Sequence, residues 1–463
     1  MGEGDRFQLG CLRYTYIAAD EGVANPSSHE ESARRAAAVG PLQTREHCAI
    51  PRYRSRRRAR DGRADGSVIA RRPVGGCLSV ANRAKTGHLF GYDCRRKPVL
   101  RDVENWRVLL KSDINVGVIE GFFGKPWDWS ARQSGIDFLR DYGYQFYVYA
   151  PKADPFLRRR WREPMPAQTM QQLLKLSSLC RDQDICLGIG LTPFEIYSNY
   201  DADTKMALRS KVLQLNEIRA DMLCILFDDM RGDVDELPAL QVKVISDVCA
   251  WSNAKRFIVC PTYYSYDSRL AREFGPPSKT YLRDLGRMLD SSIDVYWTGE
   301  NIISDGYSAQ HIAEVAAQIR RKPFIWDNHI SNDSRVRTNH LFVDPSSNAW
   351  ELPAAAVAGL AINPMNQPHL SRIALCGYKK LLGEPREQVL LSNICRPLAG
   401  ASFAERLAAD CDLFQLTGLE QIDTGTRNRL LGLYEAENTN PYAQEVSAWL
   451  RGEYRFDPQC LTT

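Results

Sequence analysis

Two neighbouring acids, Asp228 and Asp229, close the apolar run Leu223-Cys-Ile-Leu-Phe-Asp-Asp-Met-Arg-Gly232. Crowding two carboxylates in a partly apolar cleft pushes their acidities apart, so that one keeps its proton and the other its charge. Such a pair can supply a general acid and an anion to one reaction. Successive side chains of an extended strand point to opposite faces, so a twist or bulge at the strand end must bring both into one cavity. A retaining enzyme with a carboxylate nucleophile sets its two acids about 5 Å apart across the bond to be cut. Adjacent acids suit another route, in which the 2-acetamido oxygen of a sugar attacks its own anomeric carbon. One Asp then holds the amide and its developing positive charge while the other protonates the departing oxygen. The bland alternative for the pair is a loop or helix cap.

An apolar run that stops on acids and a glycine reads as an interior strand opening into a loop. Comparable runs recur at Ile114–Ile119, Gln145–Tyr149, Ile185–Ile189, Leu223–Phe227, Arg256–Cys260, Ile293–Trp297, Pro323–Trp326 and Gly359–Ile362. Between them, Ser130–Tyr142, Ala167–Arg181, Asp203–Ile218, Leu237–Trp251, Ser278–Leu289 and Ala309–Arg320 repeat apolar residues at helical spacing. The seventh crossover, from Ser331 to Ala358, shows only a weak helix at Ala354–Val357. Eight strands alternating with helices predict an α/β fold of the (β/α)8 TIM barrel type over residues 111–382. Glycine-rich dinucleotide or phosphate loops follow none of these strands, which counts against an open doubly wound sheet.

In such a barrel the carboxyl ends of the strands converge on one cleft. The residues met there are Glu120 and Gly121; Lys152 and Asp154; Thr192; Asp228 and Asp229; Thr262, Tyr263 and Tyr264; Thr298; Asp327, Asn328 and Asp333; and Asn363. Aromatic rings cover the apolar face of a pyranose, and amides and carboxylates take its hydroxyls, so this set suits a sugar. Trp297 and Trp326 fit either core or a ligand wall. A metal fits less well, because His329 and His340 are eleven residues apart with no paired cysteine. A phosphate would call for several arginines or glycines, and only Arg231 qualifies.

The 463 residues carry a net charge of +4, 44% hydrophobic and 25% charged residues, ordinary values that do not point to nucleic acid. Thirteen cysteines are scattered without a CxxC pair, and Cys186, Cys224 and Cys260 lie in apolar runs, as expected of buried free thiols in a reducing compartment. With no apolar stretch of eighteen residues and no secretory leader pattern in the first thirty, a cytoplasmic location and no membrane partner are expected. Residues 1–110 form a basic region with nine arginines between Arg52 and Arg72 and little to bury, expected to be partly disordered. Residues 383–463 are expected to be a small helical unit, with helices at Glu387–Asn393, Phe403–Asp410, Asn428–Glu435 and Tyr442–Arg451.

Seven motifs, in order, resemble those of glycoside hydrolase family 84, the O-GlcNAcases and bacterial β-N-acetylglucosaminidases. They are Gly117-Val-Ile-Glu-Gly-Phe-Phe-Gly-Lys-Pro-Trp127, Tyr149-Ala-Pro-Lys152, Phe227-Asp-Asp229, Cys260-Pro-Thr-Tyr-Tyr264, Trp297-Thr-Gly299, Trp326-Asp-Asn-His-Ile-Ser-Asn-Asp333 and Asn363-Pro-Met365. The resemblance covers about residues 113 to 382. It implies a (β/α)8 retaining exo-β-N-acetylglucosaminidase that uses substrate assistance through an oxazoline and needs no cofactor. Its substrate would be an N-acetylglucosamine-bearing glycoprotein or glycoside. By resemblance, Asp228 orients and polarises the acetamido group, Asp229 is the general acid and later the base, and Tyr264 contacts the acetamido oxygen. Gly121, Lys152, Asn328, Asp333 and Asn363 match sugar-binding positions, Lys152 and Asp333 at ring hydroxyls and Asn328 near the acetamido group, while Trp326 matches part of the wall. The chain departs from the family pattern at Ala153, at Leu191-Thr-Pro193 and at Phe123, where the family commonly has a tyrosine. These departures keep a second reading open, a catalytically silent glycan-binding or scaffold protein on the same barrel.

Overall fold

The computed structural model describes residues 114–345, 350–382 and 390–462. The expectations for residues 1–110 lie outside the described residues; of the helix expected over Glu387–Asn393, the described part is helical from Leu391 and runs on to Ala399. Eight strands, β1 (Val116–Glu120), β2 (Phe146–Tyr149), β3 (Cys186–Leu191), β4 (Met222–Leu226), β5 (Arg256–Cys260), β6 (Asp294–Trp297), β7 (Phe324–Asp327) and β8 (Gly359–Ile362), pair in chain order into a closed barrel. All pairs are parallel, and closure is made by β1 against β8, with Val116 opposite Leu360 and Val118 opposite Ile362. The strands fall within one or two residues of the apolar runs, because short continuous hydrophobic stretches suit strands buried on both faces.

The outer layer comprises α1 (Trp129–Asp141), α2 (Ala167–Asp182), α3 (Ala202–Asn216), α4 (Leu237–Trp251), α5 (Ser268–Phe274), α6 (Tyr281–Met288), α7 (Ala309–Ile319) and α8 (Pro368–Leu382). Asp128, Asp201 and Ser308 cap α1, α3 and α7 by accepting from backbone N–H groups of the first turn. The helix expected from Ser278 starts later, and the short α5 precedes it. Gly275, at φ 87°, and the two prolines after it end α5 and delay the next helix. Among the described residues the seventh crossover carries 3-10 turns at Arg337–Asn339 and Ala354–Ala356 in place of a full helix. Four further helices follow, α9 (Leu391–Ala399), α10 (Ala401–Asp412), α11 (Thr424–Glu435) and α12 (Pro441–Leu450). Trp449 of α12 is buried and donates to the carbonyl of Thr338 at 3.2 Å, tying this unit to the barrel.

Two acids met at strand ends serve the scaffold rather than the cleft. Glu120 is fully buried and takes a two-pronged ion pair from Arg132 of α1, with Nε and Nη2 at 2.8 and 2.7 Å, together with the hydroxyl of Tyr147. Asp327 accepts from Trp350 Nε1 at 3.1 Å, the Tyr378 hydroxyl at 2.8 Å and the His329 N–H at 2.9 Å. Arg132→Met leaves the Glu120 charge buried without its cation, and the expected loss of stability is about 3–5 kcal/mol. The midpoint of urea denaturation checks this. Among the described cysteines all nine are free, and Cys186, expected to be buried, is exposed at the leading end of β3. Among the described residues no helix is long and apolar enough to cross a membrane.

Candidate active site

Adjacent carboxylates reach one cavity here through a backbone turn. Asp229 sits at φ 57°, the left-handed region that non-glycine residues seldom adopt and that costs on the order of 1 kcal/mol or more. The turn follows directly on β4, and it cancels the alternation that would send one acid outward. Asp228 and Asp229 are both buried and both line one cleft at the carboxyl ends of the strands.

Lys152, reached from β2, sits between them. Its Nζ pairs with Oδ2 of Asp228 and lies 3.5 Å from Oδ2 of Asp229. Burial pulls the lysine toward neutrality, but Asp228 and Asp229 outweigh it and hold the ammonium above its ordinary range. For Asp229, burial is the largest influence and raises the carboxyl above the usual carboxylate range. Lys152 opposes that shift and the Asp228 charge adds to it. Oδ1 of Asp228 is buried with no hydrogen-bond partner. Asp229 is thus held toward its neutral form, while Asp228 sits against a cation and has an acceptor to spare.

The remaining residues form a hydrogen-bonded floor. Oδ1 of Asn328 accepts from Trp326 Nε1 and from Asn363 Nδ2, each at 2.9 Å, and Nδ2 of Asn328 donates to the Ile302 carbonyl at 2.9 Å. Asn363 Oδ1 accepts from the Gly121 N–H at 3.1 Å, linking the loops after β8 and β1. A Cβ on Gly121 would lie 2.3 Å from Trp326 Cζ2, so only glycine lets that ring close over the floor. Asp333 accepts from the Phe123 N–H at 2.9 Å, and burial lifts its carboxyl above the ordinary range. The Tyr264 phenol is pushed well up by burial and stays a neutral hydroxyl.

All nine residues singled out from the sequence, Gly121, Lys152, Asp228, Asp229, Tyr264, Trp326, Asn328, Asp333 and Asn363, line this one cleft. Trp297 does not; it is buried, donating from Nε1 to His311 at 2.9 Å. Thr262 and Asp154 bond to Phe227 and Tyr149 and also stay out of the lining.

A profile of the beta-N-acetylglucosaminidase family matches residues 116–393, more than half of the chain. The chain belongs to this family. Among relatives of the β-N-acetylglucosaminidase domain are the protein O-GlcNAcases of Rattus norvegicus, 27% identical over 293 residues, and Mus musculus, 26% identical over 290. Each match covers 60% of this chain and 31% of the relative, so the chain spans about a third of their length. An O-GlcNAc hydrolase variant of Thermobaculum terrenum superposes with a TM-score of 0.57 at 24% identity, over 73% of this chain and 74% of that one, a likeness of fold.

Within the β-N-acetylglucosaminidase domain and beyond it, the cleft also takes Phe123, Ile302, Ile303, Cys460 and Thr462. Phe123 follows closely on β1, but no strand-end rule reaches the other four: the isoleucines lie in the long loop after β6, and the last two sit far along the chain beyond the matched region. Phe123, the position that departs from the family pattern, donates its backbone N–H to Asp333, and its ring centre lies 5.7 Å from Lys152 Nζ.

Proposed function

We propose that this chain is a retaining exo-β-N-acetylglucosaminidase that works by substrate assistance. The observation that carries the reading is the turned acid pair: a buried Asp229 held toward its protonated form beside an Asp228 that offers a free buried acceptor. In this reading Oδ1 of Asp228 accepts the acetamido N–H and steadies the positive charge that develops as the acetamido oxygen attacks the anomeric carbon. The glycosidic C–O bond breaks as Asp229 gives its proton to the departing oxygen, leaving a bicyclic oxazoline. Asp229 then takes a proton from water, which attacks the same carbon, and two inversions give net retention.

Trp326 and Tyr264 would bound the ring and acetamido group, with Asn328 near the acetamido side. Asp333, Lys152, Asn363 and Gly121 would hold hydroxyls and shape. The names of the rat and mouse relatives, protein O-GlcNAcases, extend the reading to sugar linked to protein. Comparing hydrolysis of 4-methylumbelliferyl β-N-acetylglucosaminide with its N-acetylgalactosamine and glucose counterparts tests the class. Turnover is expected for the N-acetylglucosaminide and none for the glucoside. Tight binding of the sugar with no turnover at any pH would instead favour a silent glycan-binding protein.

The lysine gives a pH prediction with a definite sign. Its positive charge favours ionised Asp229, so Lys152→Met lets Asp229 keep its proton to higher pH. The alkaline limb of the kcat/KM profile should move upward in pH, alongside a lower maximum. A limb that stays in place or moves down would separate Lys152 from the acid.

A further inference from the structure

The segment Tyr454–Thr462, which follows α12 and contains neither helix nor strand, runs across the mouth of the barrel. Its contacts reach the loops after four strands. Lys125 Nζ lies 4.9 Å from the Tyr454 ring centre, after β1. Gln459 Oε1 accepts from Arg159 Nε at 2.7 Å and Arg158 Nη1 at 3.3 Å, after β2. Arg269 Nη1 donates to the Thr462 carbonyl at 3.3 Å, after β5, and the Arg335 guanidinium lies 5.3 Å from the Phe456 ring, after β7. At the far end the side chains alternate as in an extended strand. Cys460 and Thr462 are buried and line the cleft, while Leu461 between them is exposed. Thr462 shares the cleft lining with Tyr264.

We propose that Cys460 and Thr462 form the outer wall of the sugar site, and that the strap carrying them selects substrates by what the sugar is attached to. The proposal rests on the glycosidase reading for the identity of the ligand. The floor is built from strand ends, so any group attached to the sugar must leave through the mouth that the strap crosses. With the strap in place, Cys460 and Thr462 narrow the same cleft that Asp228, Asp229 and Tyr264 line. In this proposal the strap moves aside to pass the group that the sugar carries.

Its attachment allows that movement. Among the described residues the backbone of the strap makes one backbone hydrogen bond, from Cys460 N–H to the Asp457 carbonyl, within itself. The rest is side-chain contact, much of it at the surface, where such pairs are individually weak and such segments open first. A small aglycone needs a partial opening, and a polypeptide running out of both sides of the mouth needs full displacement.

The test uses the full chain carrying Gln459→Ala and Phe456→Ala, which loosen the strap without altering the wall. Turnover of a synthetic peptide bearing N-acetylglucosamine on serine should rise about fivefold in kcat/KM, and that of 4-methylumbelliferyl β-N-acetylglucosaminide less than about twofold. Equal change for both substrates, or none, overturns the proposal. Alkylation of Cys460 by iodoacetamide, followed by peptide mass spectrometry, reads the same opening without turnover and should run about five times faster in the variant. An unchanged alkylation rate overturns the strap whatever the activity does. Faster alkylation in a protein whose wild type hydrolyses neither substrate strikes the glycosidase reading and supports the opening of the strap.

Discussion

Asp229→Ala will lower kcat/KM toward a serine-linked N-acetylglucosamine by about 10²–10⁴-fold, the usual contribution of a positioned general acid. The loss will shrink toward the low end for an aryl glycoside whose phenol departs without needing a proton. The reason lies in the geometry: Asp229 is buried, raised above the usual carboxylate range by that burial, and kept 3.5 Å from Lys152. A series of aryl β-N-acetylglucosaminides of graded leaving-group acidity measures the effect as a steeper dependence in the variant than in the wild type. Equal losses across the series would remove the acid role from this residue.

Asp228→Asn carries the second large effect and a different signature. The amide keeps the shape of the side chain but gives up the charge that faces the developing cation, so kcat should fall by about 10²–10³-fold. Because this charge serves the acetamido group and not the leaving oxygen, the loss should be similar for good and poor leaving groups. A loss that tracks leaving-group acidity would mean the two acids have exchanged roles.

The barrel was legible because its strands are short and apolar on both faces and end on polar residues, a pattern that periodicity alone locates to within one or two residues. The cleft was legible for a related reason: strand ends converge, so Lys152, Asp228, Tyr264 and Asn363 had to become neighbours once the sheet closed. Strand-end position does not say which way a side chain turns. Glu120 and Asp327 occupy the same level as the site residues yet bind Arg132, Trp350 and Tyr378 of the surrounding layer. The left-handed turn at Asp229 is a backbone conformation that the type of the residue does not announce. Cys460 and Thr462 were out of reach for another reason. They join the cleft through tertiary contact nearly a hundred residues after β8, in a segment with no periodic pattern.

The central claim is that the substrate's own acetamido oxygen is the nucleophile, with Asp228 as its anion and Asp229 as its acid. Successive fluorination of the N-acetyl methyl group, in one aryl β-N-acetylglucosaminide, weakens that oxygen and leaves the leaving group untouched. The account predicts that log kcat/KM falls steadily with each fluorine added. A rate indifferent to fluorination, while hydrolysis still proceeds with retention, would contradict it and point to a nucleophile supplied by the protein.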